Sequence, residues 1–229
     1  MPREIALIVG AGSGLSASLA RAAAKAGMQV ALAARQVAKL DDLVRETGAR
    51  AYACDASAPD QVEGLFARLA AEAGTPDLVV YNAGYRTRGP LVELDPAEVE
   101  KTLRISAYGG FLTGQAAARR MLPRGSGSIF FTGASASVKG YAQSAPFAMA
   151  KFALRGLAQS MARELQPKGI HVAHFVIDGG IAGARSAGDP GADKWLDPDA
   201  IARTYLDTHR QHRSAWSTEV ELRPWVETF

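Results

Sequence analysis

The sequence predicts an α/β protein built as one doubly wound parallel sheet, and three observations predict it. Short apolar runs alternate with longer amphipathic segments, which is the pattern of successive βα units. Glycines cluster where the first apolar run passes into the first amphipathic segment. The 229 residues, 48% of them hydrophobic, suffice for one core and fall short of two full domains, so 1–229 is read as a single domain.

The elements follow in order. The apolar run at 5–9 is the first strand, and "LSASLARAAAKAG" is the helix after it, closed by a glycine suited to a left-handed cap. Strands at 29–33 and 51–53 are each followed by an amphipathic stretch, "VAKLDDLVRETG" and "PDQVEGLFARLAAEAG". The strand at 78–81 leads into "PAEVEKTLRISAYGGFLTGQAAARRM", read as one long helix, and that at 128–132 precedes the helix in "FAMAKFALRGLAQSMARELQPKG". A sixth strand spans 170–177. Residues 178–196, rich in Gly, Ala and Asp, hold neither period and form either a lid over the cleft or a plain spacer. A last helix near 198–211 and a strand-like "TEVELRP" follow. Alternation of this kind places ligands at the carboxyl ends of the strands.

Composition narrows the function classes. The formal charge of +3 is spread along the chain, and the only tight basic doublet is Arg119 with Arg120, which argues against nucleic acid and for a phosphate-bearing small molecule. The single cysteine, Cys54, excludes an internal disulfide and is read as a packing residue. His171 and His174 share a strand, and His209 and His212 lie near the end of the last helix; no third ligand accompanies either pair, so no metal site is expected. Trp195, Trp216 and Trp225 are read as packing or interface residues. No apolar run reaches the roughly 20 residues of a membrane span, and "MPREIALIVG" passes directly into a strand, so a soluble, cytoplasmic protein without membrane contact is expected.

The glycine cluster has a direct chemical reading. Gly10, Gly12 and Gly14, with Ser13 and Leu15, form the turn from first strand to first helix. Glycine lets phosphate approach the main chain, and the helix N-terminus offers unpaired N–H groups and a positive dipole end. NAD-dependent enzymes of this architecture carry an acid at the end of the second strand, on the ribose hydroxyls. Here that place is Ala34, followed by Arg35. A missing acid and an adjacent guanidinium favour the 2′-phosphate of NADP(H) over NAD(H).

With "GAGSGLS", "CDAS", "YNAG" and "FAMAK" in this order and at these separations, the chain resembles the short-chain dehydrogenase/reductase family over nearly its whole length. The resemblance implies a Rossmann-type fold and a nicotinamide cofactor. The family pattern Gly-x-x-x-Gly-x-Gly falls on Gly10, Gly14 and Ser16, with the third glycine replaced. By the same resemblance Asp55, with Ala56 beside it, accepts from the adenine amine; the alternative is an N-cap of the next helix. Asn82, Ala83 and Gly84 line the adenosine side, and Lys151 binds the nicotinamide ribose. Gly179, and Ile181 through its backbone, stand near the nicotinamide amide. The family's assembly implies a homodimer or homotetramer built on the helices that carry Ser106 and Lys151.

The catalytic places depart from the family. Its Asn falls on Ser106, its Ser on Ala134 and its Tyr on Phe147; only Lys151 is retained. Asp178 and Gly179 replace the usual Pro-Gly, and Gly183 replaces the expected Thr. A positioned acid or base is worth about 10² to 10⁴ in rate, and a phenyl ring supplies none. Ser135, Ser137, Tyr141 and Ser144 are candidate substitute donors; each is also readable as a hydroxyl satisfying loop backbone. Three functions remain open: an oxidoreductase on a small carbonyl or alcohol with an altered proton-transfer arrangement, a non-catalytic NADP(H)-binding sensor or assembly protein, or chemistry that needs no tyrosine acid, such as reduction of an activated double bond or an imine.

Overall fold

Each of the six apolar runs becomes a strand of one parallel sheet in the computed structural model, which describes residues 3–183, 186, 189 and 192–226. The strands are β1 (Ile5–Val9), β2 (Gln29–Ala34), β3 (Arg50–Ala53), β4 (Leu78–Tyr81), β5 (Ser128–Thr132) and β6 (His171–Ile177). The late strand-like segment adds β9 (Glu219–Leu222), giving the order β3-β2-β1-β4-β5-β6-β9. The short strands β7 (Gly180–Ile181) and β8 (Trp195–Leu196) pair separately.

Alternate residues of the strands feed two cores, as burial on both faces of a parallel sheet requires. Leu7, Val9, Tyr81 and Phe131 face helices α3 (Pro59–Glu72), α5 (Gly109–Met121) and α6 (Ala145–Leu165). Ala6, Ile8, Phe130 and Phe175 face α1 (Leu15–Lys25), α2 (Asp41–Thr47) and α7 (Pro198–His209). Strand order reverses between β1 and β4, and the crevice beyond their carboxyl ends is where such sheets hold ligands.

Besides the β7–β8 pair, which falls in the segment expected to hold neither period, one helix differs from the sequence expectation. The long helix after β4 is interrupted: α4 (Pro96–Leu103) passes through a π-helical turn at Arg104–Tyr108 before α5 begins. Such a turn adds one residue to an otherwise helical stretch, which pattern alone does not register, and π turns recur at functional sites. Of the segment 178–196, read as a lid or a spacer, residues 184, 185, 187, 188, 190 and 191 lie outside the described residues.

Candidate active site

The turn after β1 is shaped by one obligatory glycine. Gly10 has φ +86°, and a Cβ there would stand 2.4 Å from the backbone of Ala83. Its N–H and that of Ala11 both donate to the Ala33 carbonyl at 2.9 Å, which fixes the turn against the end of β2. By contrast, a Cβ on Gly12 or Gly14 would meet nothing within 4 Å. No side chain caps α1 and no acidic residue stands in its first turn, so the N-terminal end at Leu15 keeps its dipole for an anion.

Ser16, at the family's third glycine place, does more than fill space. Its buried hydroxyl donates to the Gly10 carbonyl at 3.0 Å and accepts from Asn82 Nδ2 at 2.7 Å. The glycine turn is thereby tied to the end of β4, where the Asn82 N–H also donates to the Val9 carbonyl at 2.8 Å.

Gly10, Arg35, Asp55, Ala56, Asn82, Ala83 and Gly84 come together around one hollow of ≈ 220 Å³, joined by Cys54 and by Ile105 of the π turn. A second hollow of ≈ 510 Å³ is lined by Gly12, Ser13, Ala34, Arg35, Gln36 and Lys39. Lys39 was not singled out from sequence; its signal is a place four residues past Arg35 on the short turn Val37–Leu40. Asp55 is no N-cap of α3, since Ala58 holds that place. Its Oδ1 accepts from the Ser57 N–H at 2.9 Å and the Ser57 hydroxyl at 2.7 Å. Burial pushes the Asp55 carboxyl up, but these bonds and the nearby charges of Arg35 and Arg104 hold it below the usual value.

Beyond β5 lies α6, which carries Phe147 and Lys151. Lys151 is buried, its ammonium donates to the Thr132 carbonyl at 2.7 Å, and desolvation lowers its pKa to about 8. One helical turn before it, the Phe147 ring has Lys151 Nζ 5.7 Å from its centroid and the Arg86 guanidinium carbon at 4.8 Å. Arg86 stands on the loop after β4, where an exposed arginine carries no pattern in the sequence.

The substitute donors are not gathered there equally. The Ser106 side chain, in the π turn, is fully buried; its hydroxyl accepts from the Tyr85 N–H at 2.9 Å and donates to the Tyr85 carbonyl at 3.1 Å. The chain does turn at Ser135, which opens a short helical turn, Ser135–Ser137, where the half-buried Ser135 backbone carbonyl accepts from Val138 and Lys139. Tyr141 is exposed beside Lys139. Ser137 accepts from the Ala134 N–H, and Ser144 is buried at the start of α6 with its hydroxyl unpartnered.

Asp178 is buried, with Lys139 Nζ at 3.5 Å and Arg223 Nη2 at 3.7 Å, so the place of the family's proline is a charged junction with the chain after β9. A Cβ on Gly179 would reach Pro224 at 2.8 Å, and Ile181 is held in β7 against Leu196. Among the described residues no group of His, Cys, Asp or Glu is arranged to hold a metal ion, and no helix is long and apolar enough to cross a membrane.

A glycine turn at the switch point, a basic hollow past β2 and a buried lysine on α6 are thus the features of this site. The family model for short chain dehydrogenases covers residues 4–185. The chain belongs to the short-chain dehydrogenase family. Its fold is shared by a short-chain dehydrogenase from Rhodopseudomonas palustris, 36% identical, with 98% of this chain and 100% of that one covered at a TM-score of 0.86. A metagenomic short-chain oxidoreductase in complex with NADP is 28% identical, with 99% of both chains covered and a TM-score of 0.85. The cis-4-hydroxycyclohexanecarboxylate dehydrogenase of Sinomonas cyclohexanicum is 35% identical over 176 residues, 74% of this chain and 70% of its own length. As a short-chain dehydrogenase the chain is an oxidoreductase with an NAD(P)-binding fold.

Proposed function

We propose that the protein is an NADP(H)-dependent oxidoreductase acting on a small carbonyl or alcohol. The observation that carries the choice of cofactor is the hollow past β2, where Arg35 and Lys39 stand with Ala34 in place of an acid. Two cations and no carboxylate at the end of β2 suit a 2′-phosphate, which a ribose-binding acid would repel. The open space over Gly12 and Gly14 and the uncapped start of α1 suit the pyrophosphate. Asp55 and Ala56 take the adenine, Asn82, Ala83 and Gly84 the adenosine wall, Lys151 the nicotinamide ribose, and Gly179 and Ile181 the carboxamide side. When bound, the nicotinamide supplies hydride to, or takes it from, the substrate carbon.

The chain's own residues do the rest. Ser13, Gly14 and Leu15 bind and orient, while Ser16 and Asn82 keep the turn in place. Lys151 keeps a titratable ammonium at the cleft with no hydroxyl at Phe147 or Ala134 to share its proton. The NADP complex of one relative and the small secondary alcohol in another's name support the cofactor and the substrate class.

A second reading is a non-catalytic NADP(H)-binding sensor or assembly protein, favoured by Phe147 and Ala134. Titration of the protein with NADPH and NADH, followed by a panel of small carbonyls, separates the two. Tight NADPH binding with turnover supports the enzyme, tight binding without turnover supports the sensor, and no binding removes both. We also propose a homodimer or homotetramer, for which the exposed Tyr108, Phe111, Met149 and Phe152 on the packed α5 and α6 side supply apolar surface.

A further inference from the structure

The hydroxyls that short-chain dehydrogenases aim at a substrate oxygen are missing at Ala134 and Phe147, and a guanidinium stands over the ring that replaced the phenol. Arg86 lies 4.8 Å from the Phe147 centroid, within the range of an attractive cation–π contact. Its position is held from both sides along the chain. Tyr85, just before it, has both backbone groups bonded to the Ser106 hydroxyl and its own phenol bonded to Glu98. Three residues on, the Gly89 N–H donates at 3.1 Å to the carbonyl of Gln143, a residue strained at φ +57° on the loop that leads into α6. The loop carrying Arg86 is thus bolted to the π turn on one side and to the catalytic helix's approach on the other.

We propose that Arg86 is the electrophile of this site: its guanidinium, laid on Phe147, holds and polarises the substrate carbonyl oxygen in place of the lost hydroxyls. This rests on the NADP(H)-dependent reading above. As the carbonyl carbon takes up hydride from the reduced dinucleotide, a C–H bond forms and the C=O π pair moves onto oxygen. Arg86 offsets that growing negative charge through the N–H donors of its guanidinium. The oxygen then takes one proton from solvent, so carbonyl, NADPH and a proton become alcohol and NADP⁺. Arginine keeps its charge throughout and acts as a fixed donor, with no proton to transfer. In the same frame, Ser106 and Phe147 are positioning residues: one anchors Tyr85, the other supplies the platform.

The test uses the whole protein, with 2,3-butanedione and ethyl pyruvate as activated carbonyl probes and NADPH affinity measured alongside. Arg86→Ala is expected to lower kcat by about 100-fold, the usual cost of one such donor, with NADPH affinity unchanged. Arg86→Lys should fall between wild type and Arg86→Ala. Free guanidinium ion at sub-denaturing concentration should restore part of the Arg86→Ala rate, which a merely structural role does not allow. Phe147→Leu should lose rate because the platform goes. Unchanged kcat in Arg86→Ala, or a loss that guanidinium does not rescue, overturns the assignment and leaves the enzyme reading standing. A wild type that binds NADPH and reduces neither probe counts against the enzyme reading itself, and against this proposal with it.

Discussion

Lys151 donates to the Thr132 carbonyl at 2.7 Å from a buried position in which desolvation lowers its pKa to about 8. The folded protein therefore sheds this proton well below the value of an unfolded lysine, near 10.4. Below about pH 8 both states are protonated and the full desolvation cost is present. Between there and the unfolded value the unfolded chain binds more protons, so this group's contribution to stability rises with pH. Wild type compared with Lys151→Met by urea unfolding should show a stability gap that narrows in favour of wild type from pH 8 to pH 10, by on the order of 3 kcal/mol for the full shift. A pH-independent gap would show that the ammonium is solvated.

Arg35 lines both hollows and faces no carboxylate at Ala34. Arg35→Ala should weaken NADPH binding about tenfold to a hundredfold, the range of a charge-assisted hydrogen bond, while NADH binding changes little. Fluorescence titration reads both. An equal loss for the two cofactors would move the 2′-phosphate away from Arg35.

Ser16 links Gly10 to Asn82. Ser16→Ala leaves a half-buried donor and acceptor without their bond and should cost about 1 kcal/mol by urea unfolding. NADPH affinity should drop with it, because the turn loses its tie. Full stability in the variant would make the family's glycine and this serine interchangeable.

His174 lies beneath α6, 1% exposed, with both ring nitrogens lacking a hydrogen bond and Glu219 at 3.6 Å. Burial lowers its pKa to about 4, outweighing the pull of Glu219. The histidine is neutral when folded, so its contribution is complete above pH 6.5 and lost as pH falls through about 4. His174→Leu should match or exceed wild-type stability at neutral pH and lose less of it between pH 6.5 and pH 4, measured by urea unfolding across that range.

The parallel sheet and its two helical layers were legible because period and glycine placement are local signals: all six strands emerged within a residue of the expected bounds, and the late segment became the edge strand β9. The hollow at the ends of β1 and β4 was legible because the family's motifs fix which residues meet there. What escaped depends on contacts between distant segments. The π turn needs hydrogen-bond geometry that sequence does not state. Ser16 as a tie requires Asn82 to be in reach, and Arg86 matters only because its loop is brought over Phe147. Ser106 was placed among the catalytic candidates by alignment alone, and the fold commits its hydroxyl to Tyr85.

The central claim is hydride transfer from NADPH to a carbonyl in a site without the family's tyrosine. It is tested most directly by incubating the protein with NADPH deuterated at C4 and small carbonyl compounds, then analysing the alcohol by mass spectrometry. One deuterium is expected on the former carbonyl carbon, appearing about 100-fold more slowly in Arg86→Ala. Tight NADPH binding with no labelled alcohol from any carbonyl would contradict it and leave a dinucleotide-binding protein that has given up the chemistry.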